Sequence, residues 1–177
     1  MRVALDASML MLFLRPDSGV PIDPNTSKPV TYPRERIAHL IDTIERRGGS
    51  VVIPAPALSE VLVRAGPAAP EIVQIIQKSS ALAIAPFAER AAIEAAEMTA
   101  SAIQQKDKKD GSVDTWAKVK YDRQIVAISK VEGVDTLYSD DLGIAHVANR
   151  AGINVVKLSD VELPPEAAQS NLFNETP

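Results

Sequence analysis

The 177-residue chain contains no cysteine and only two histidines, His39 and His146. The first absence excludes disulfides, thiolate zinc sites and cysteine nucleophiles. The second leaves too few imidazoles for a histidine-rich metal site. No stretch approaches the roughly 20 uninterrupted apolar residues of a membrane span. The opening MRVALDASMLMLFL resembles a signal peptide in its apolar character, but Asp6 interrupts it and no small-residue cleavage site follows, so a cytoplasmic protein is expected. An excess of positive charge is also lacking: 19 Lys and Arg against 23 Asp and Glu give a net charge of −4. Any contact with nucleic acid therefore has to be local. What is present is an ordinary globular composition, 46% hydrophobic and 24% charged, in a chain long enough to bury a core. Carboxylates are the chemistry that remains.

Hydrophobic periodicity predicts strands alternating with helices. Arg2 to Leu5 reads as a strand and Ser8 to Leu14 as a helix; the proline-rich stretch from Arg15 to Pro33 then reads as a loop of unusual length. Ile37, Leu40, Ile41 and Ile44 lie at helical spacing before Gly48 and Gly49. SVVIP, ALAIAPF, TLY and INVVKL supply four further strands, with helices at Ala57 to Ala65, Glu71 to Lys78, Ala88 to about Lys106, Asp114 or Thr115 to about Val131, and Leu142 to Arg150. The expectation is one α/β domain over residues 1–161, a three-layer α/β/α arrangement with a central parallel sheet of about five strands. Residues 15–33 form its insertion and 162–177 a polar, proline-containing tail. In such folds ligands bind beyond the carboxyl ends of the strands.

Two acids follow strands directly, Asp6 in VALDAS and Asp140 in TLYSD, and two more sit among residues suited to a buried helix, Glu60 in PALSEVLV and Asp122 in KVKYDRQIVAIS. Burying an ionised carboxylate without compensation is costly. A hard divalent cation, Mg²⁺ or Mn²⁺, compensates four converging acids and gives them a use in activating water toward phosphorus. Each acid also has a plainer reading. Asp6 can cap a helix, Glu60 can favour a helix dipole, and Asp122 can pair with Lys118 or join Arg123 on a solvated face. Asp141 is expected to cap the helix that starts at Leu142. His39, His146 and Trp116 are expected to pack. Lys106, Lys108, Lys109, Lys118, Lys120 and Arg123 concentrate positive charge beside Asp122, either as a solvated run or as a track for a phosphate backbone, with Lys120 nearest the substrate.

Taken in order, LDAS, the acid of PALSEVL, the Asp of YDRQIVAIS and YSD resemble the four acidic motifs of PIN-domain nucleases, in particular VapC-like toxins. The resemblance spans Arg2 to Leu158, with eighteen positions separating Asp122 from Asp140. It implies a metal-dependent ribonuclease acting on single-stranded or structured RNA, with Asp6, Glu60, Asp122 and Asp140 as metal-site and catalytic acids. Ser8 holds the family's polar position after the first Asp and Ser139 precedes the last, and both are expected to meet the substrate. Tyr138 stands where the family often has Thr or Ser. The resemblance also implies an antitoxin or a second copy as protein partner. The long proline-rich loop and the tail depart from a compact toxin, and a non-catalytic PIN-like interaction module is the alternative.

Overall fold

A computed structural model describes residues 1–15, 17–23, 25–165 and 167. Five strands form one parallel sheet: β1 (Arg2–Leu5), β2 (Ser50–Pro54), β3 (Leu82–Ala85), β4 (Thr136–Tyr138) and β5 (Asn154–Val156), in the order β3-β2-β1-β4-β5. The middle strand β1 pairs on both edges, Val3 opposite Val51 on one side and Thr136 on the other. Val3, Ala4 and Leu5 are fully buried, so this strand reads as a continuous apolar run rather than an alternating one. Strand order builds outward from β1 through β2 and β3, then jumps back to β4. That switch lies between β1 and β4, and it is where both Asp6 and the Asp140–Asp141 pair leave the sheet.

Seven α-helices flank the sheet among the described residues: α1 (Ala7–Leu14), α2 (Pro33–Arg46), α3 (Ala55–Ala65), α4 (Ala69–Lys78), α5 (Glu89–Gln104), α6 (Trp116–Val131) and α7 (Leu142–Arg150). Helix α6 carries the buried stripe Val119, Ile125, Val126 and Ile128 and packs between α5 and α7. Thr115 provides its N-cap, accepting a hydrogen bond from the Lys118 amide at 3.3 Å. Helix α3 starts at Ala55, immediately after β2, two residues earlier than its sequence suggests, because Pro54 holds the extended cap conformation and Pro56 needs no amide donor.

The proline-rich loop is tied down at several points. Ile22 and Pro29 form an antiparallel bridge around a turn in which the Asp23 carboxylate accepts the Asn25 and Thr26 amides. Val30 is buried in the core, and Arg34 donates to the Ser18 carbonyl. Lys157, just beyond β5, donates to the Asn25 side chain at 2.8 Å, so the loop lies against the strand ends near Asp140. Of the expected tail, residues 166 and 168–177 lie outside the described residues.

Candidate functional site

Where β1 ends, Asp6 caps α1. Its Oδ1 accepts the Met9 amide at 2.8 Å and its Oδ2 accepts the Ser139 hydroxyl at 2.5 Å. The carboxyl is only 4% exposed, and burial pushes its pKa up to about 6. The bonds from Met9 and Ser139 work against that rise, while the charges of Asp140 and Asp141 add to it. Ser139 also accepts the Asp141 amide at 3.1 Å, so one buried hydroxyl braces the ends of β1 and β4 together. Sequence places Ser139 at the substrate; the structure holds it inside, because both of its hydrogen bonds are used within the chain.

Helix α6 presents Asp122, 3% exposed, one turn after Lys118. The Lys118 Nζ donates to Asp122 Oδ2 at 2.9 Å and to Asp141 Oδ2 at 2.7 Å, and lies 3.8 Å from Asp114. Asp141 uses its other oxygen to cap α7, accepting the Gly143 amide at 2.7 Å and the Ile144 amide at 3.2 Å. Asp114 reaches the same point from the loop before α6, its carboxylate accepting the Ser112 hydroxyl at 2.9 Å. Asp114, Asp122 and Asp141 each bring an oxygen within 4.8 Å of the others. Burial raises the pKa of Asp122, with Lys118 only partly offsetting it. Asp141 is also penalised by burial, but its bonds to Lys118 and to two amides win and lower its pKa. The Lys118 ammonium is disfavoured by burial, yet its hydrogen bonds to Asp141 and Asp122 leave its pKa raised.

Lys118, Asp122 and Asp141 line one cleft together with Asp6, Ser8 and Glu60, with Asp114 behind them. Glu60 enters from α3 and pairs with Arg64 on the next turn at 2.5 Å. The Tyr121 hydroxyl donates to the Pro56 carbonyl at 2.6 Å and so holds α6 against the start of α3. Ser8 is exposed at the rim. Of the four acids expected from sequence, the cleft thus gathers Asp6, Glu60 and Asp122. Asp140 does not line it. Its Oδ1 accepts the Leu158 amide at 2.9 Å, and it is surrounded by Asp23, Lys157 and Asp160. Backbone geometry at the end of β4 explains the exchange: Ser139 turns inward toward Asp6, Asp140 turns toward β5 and Asp141 returns to the cleft as the cap of α7.

Lys120 is exposed and lies 5.9 Å from the Trp116 ring, outside the cleft lining. Arg123 is not on a solvated face. It is 1% exposed and paired with Asp110. Sequence reasoning reads Asp114 only as a possible helix cap or a member of the charge run, and favours a capping role for Asp141 over a ligand's. The cap is there, but it occupies one oxygen, and the second faces the cleft and accepts from Lys118. Asp114, Lys118 and Asp122, each four residues apart, carried a readable signal of one shared face.

The donor set fits a hard divalent cation. Carboxylate oxygens from three elements converge, and an ammonium already stands among them in the manner of a bound cation. The cradle is also narrow: a Cβ on Gly143 would lie 3.0 Å from oxygens of both Asp122 and Asp141 and 3.2 Å from Asp114. Among the described residues no helix is long and apolar enough to cross a membrane.

By sequence, the chain matches no family model and no curated protein. By structure it is similar to VapBC2 from Rickettsia felis bound to a DNA fragment from its promoter, with a TM-score of 0.58 and 12% identity, covering 89% of this chain and 98% of that one. It is also similar to DNA-bound VapBC from Salmonella typhimurium, with a TM-score of 0.55 and 15% identity over the same shares. At such identities the likeness is one of fold: the chain has the PIN-like α/β fold, its five parallel strands flanked by helices.

Proposed function

We propose that this protein is a Mg²⁺- or Mn²⁺-dependent endoribonuclease of the VapC-like kind, hydrolysing phosphodiester bonds of single-stranded or structured RNA in the cytoplasm. One observation carries the reading: in a PIN-like fold, Asp114, Asp122 and Asp141 converge within 4.8 Å beyond the carboxyl ends of β1 and β4, and Asp122 and Asp141 share their cleft with Asp6 and Glu60. In this assignment Asp122 and Asp141 are the principal metal-site acids, with Asp114, Asp6 and Glu60 around them. Asp140 has no direct part. When bound, the ion supplies Lewis acidity toward a phosphoryl oxygen and a more acidic water.

The chain's own groups hold that chemistry in place. Ser139 and the Met9 amide fix the orientation of Asp6, and the α7 amides fix Asp141. In this reading the exposed Ser8 meets the substrate, and the exposed Lys108, Lys109 and Lys120 follow a phosphate backbone past the cleft. The similarity to two VapBC structures supports an antitoxin as protein partner, and a second copy of the chain is the further candidate.

The test is RNA cleavage by the purified protein with Mn²⁺ or Mg²⁺, in excess chelator, and with Asp122→Asn. Cleavage that depends on the metal and is lost in Asp122→Asn supports the assignment. Equal cleavage in chelator or in the variant refutes it. One observation favours a second reading, a non-catalytic interaction module: Lys118 already supplies positive charge to the acids. In that case Mn²⁺ titration by calorimetry shows no binding.

A further inference from the structure

Resting on the metal-site reading above, we infer that Lys118 is a built-in stand-in for the metal, holding the acids together while the ion is absent and having to leave before the ion can enter. The position of its Nζ is the first reason. At 2.9 Å from Asp122, 2.7 Å from Asp141 and 3.8 Å from Asp114, it stands among the same oxygens a cation would use. A hard dication takes carboxylate oxygens at roughly 2.0–2.4 Å and needs several around it. Two cations cannot share the space between one pair of oxygens without strong repulsion.

Lys118 is also shaped to leave. Its side chain is 39% exposed, whereas that of Asp122 is 5% exposed, so the ammonium can swing outward on a flexible four-carbon stem while the acid stays fixed. When Lys118 leaves, Asp141 stays pinned by the Gly143 and Ile144 amides and Asp114 by Ser112, while Asp122, buried on α6, gives up its hydrogen bond from Lys118 to the incoming ion. The Gly143 backbone packs close against the same three carboxylates, a Cβ there lying 3.0–3.2 Å from their oxygens, so the lysine's own place is where an ion meets all three acids at once. Lys118 is therefore a positioning residue of the metal-free state and a competitor of the metal.

The experiment compares wild type with Lys118→Met, which keeps the stem, and Lys118→Gln, a second neutral variant in case the first folds poorly. Each is titrated with Mn²⁺ by calorimetry, and its Tm is measured with and without Mn²⁺. The expected result is Mn²⁺ affinity higher by roughly tenfold or more in both variants, a lower metal-free Tm, and a larger rise in Tm on adding Mn²⁺ than wild type shows. Equal Mn²⁺ affinity in wild type and variants overturns the competition and leaves the metal site standing. Weaker Mn²⁺ binding in the variants also overturns it. So does an unchanged Mn²⁺ midpoint for cleavage combined with a raised KM for RNA, which makes Lys118 a substrate contact. Absence of Mn²⁺ binding in all three proteins removes the metal site itself, and the inference with it.

Discussion

Asp122 and Arg123 are neighbours on α6, yet they enter two charge clusters of opposite design, one open to solvent and one sealed. Arg123 is closed in. Its guanidinium donates to Asp110 at 2.6 and 3.1 Å, to the Lys108 carbonyl at 2.8 Å and to Thr99 at 3.2 Å, while Arg150 reaches the other Asp110 oxygen at 2.5 Å and Asp107 at 2.9 Å. Two arginines face two aspartates, so the charges balance. On the other side of α6, one Lys118 faces Asp114, Asp122 and Asp141, which leaves two negative charges in excess. A cluster that balances itself needs nothing from outside and serves to fix the α5–α6 loop. A cluster left short of positive charge tolerates its deficit only because water reaches it, and it keeps a use for a cation.

The sharpest way to break this comparison is to move one residue along the chain. Asp141→Asn keeps a good helix cap, since asparagine caps about as well as aspartate, but removes a charge from the deficient cluster. RNA cleavage is expected to fall by at least roughly a hundredfold, a barrier higher by about 2.7 kcal/mol, with Tm nearly unchanged. Asp140→Asn, next door, is expected to keep most of the activity. Parallel turnover assays decide it, and the reverse ranking returns the role to Asp140.

The balanced cluster should fail in the other currency, stability. Arg123→Met leaves Asp110 buried with only Arg150 to face it, and breaking a buried pair from one side costs about 3–5 kcal/mol. Urea unfolding measures this. A loss below about 1 kcal/mol means that the network does not hold the loop.

A smaller effect separates the two sites by pH. Asp6 has a folded-state pKa raised from 3.8 to about 6, so the native state keeps a proton that the unfolded chain has given up. Its contribution is therefore fully favourable below pH 4 and is lost as pH rises toward and through 6, a decline on the order of 3 kcal/mol in metal-free buffer. Asp6→Asn preserves both hydrogen bonds in outline and is expected to flatten that part of the profile. Tm measured from pH 4 to pH 8 in wild type and variant checks it, and two parallel profiles refute the assignment.

Particular residues show how far sequence carried. Val3 to Leu5, SVVIP and Thr136 to Tyr138 are short apolar runs that cannot be exposed, and their alternation with helices dictated a parallel sheet with its site at the strand ends. The helical run through Asp122 and the cap at Asp141 were legible for the same local reason: periodicity and capping depend on neighbours within about four residues. Arg123 was misread because a charged residue beside Asp122 looks solvated until Asp110, thirteen residues earlier, is brought onto it. The choice between Asp140 and Asp141 was equally out of reach. Adjacent residues point in different directions at a strand end, and only the partner of each, the Leu158 amide or the Lys118 ammonium, shows which way.

What the amino-acid order determined by itself is therefore the layering, the strand-end location of the acids and the absence of cysteine chemistry and of a histidine-rich metal site. Tertiary structure alone decided which acids meet, that Lys118 stands among them, and that Arg123 is sealed behind them. The reason is physical: burial and helix periodicity are set by short-range pattern, whereas the distance between charges far apart in sequence depends on how β1, β4, α6 and α7 pack.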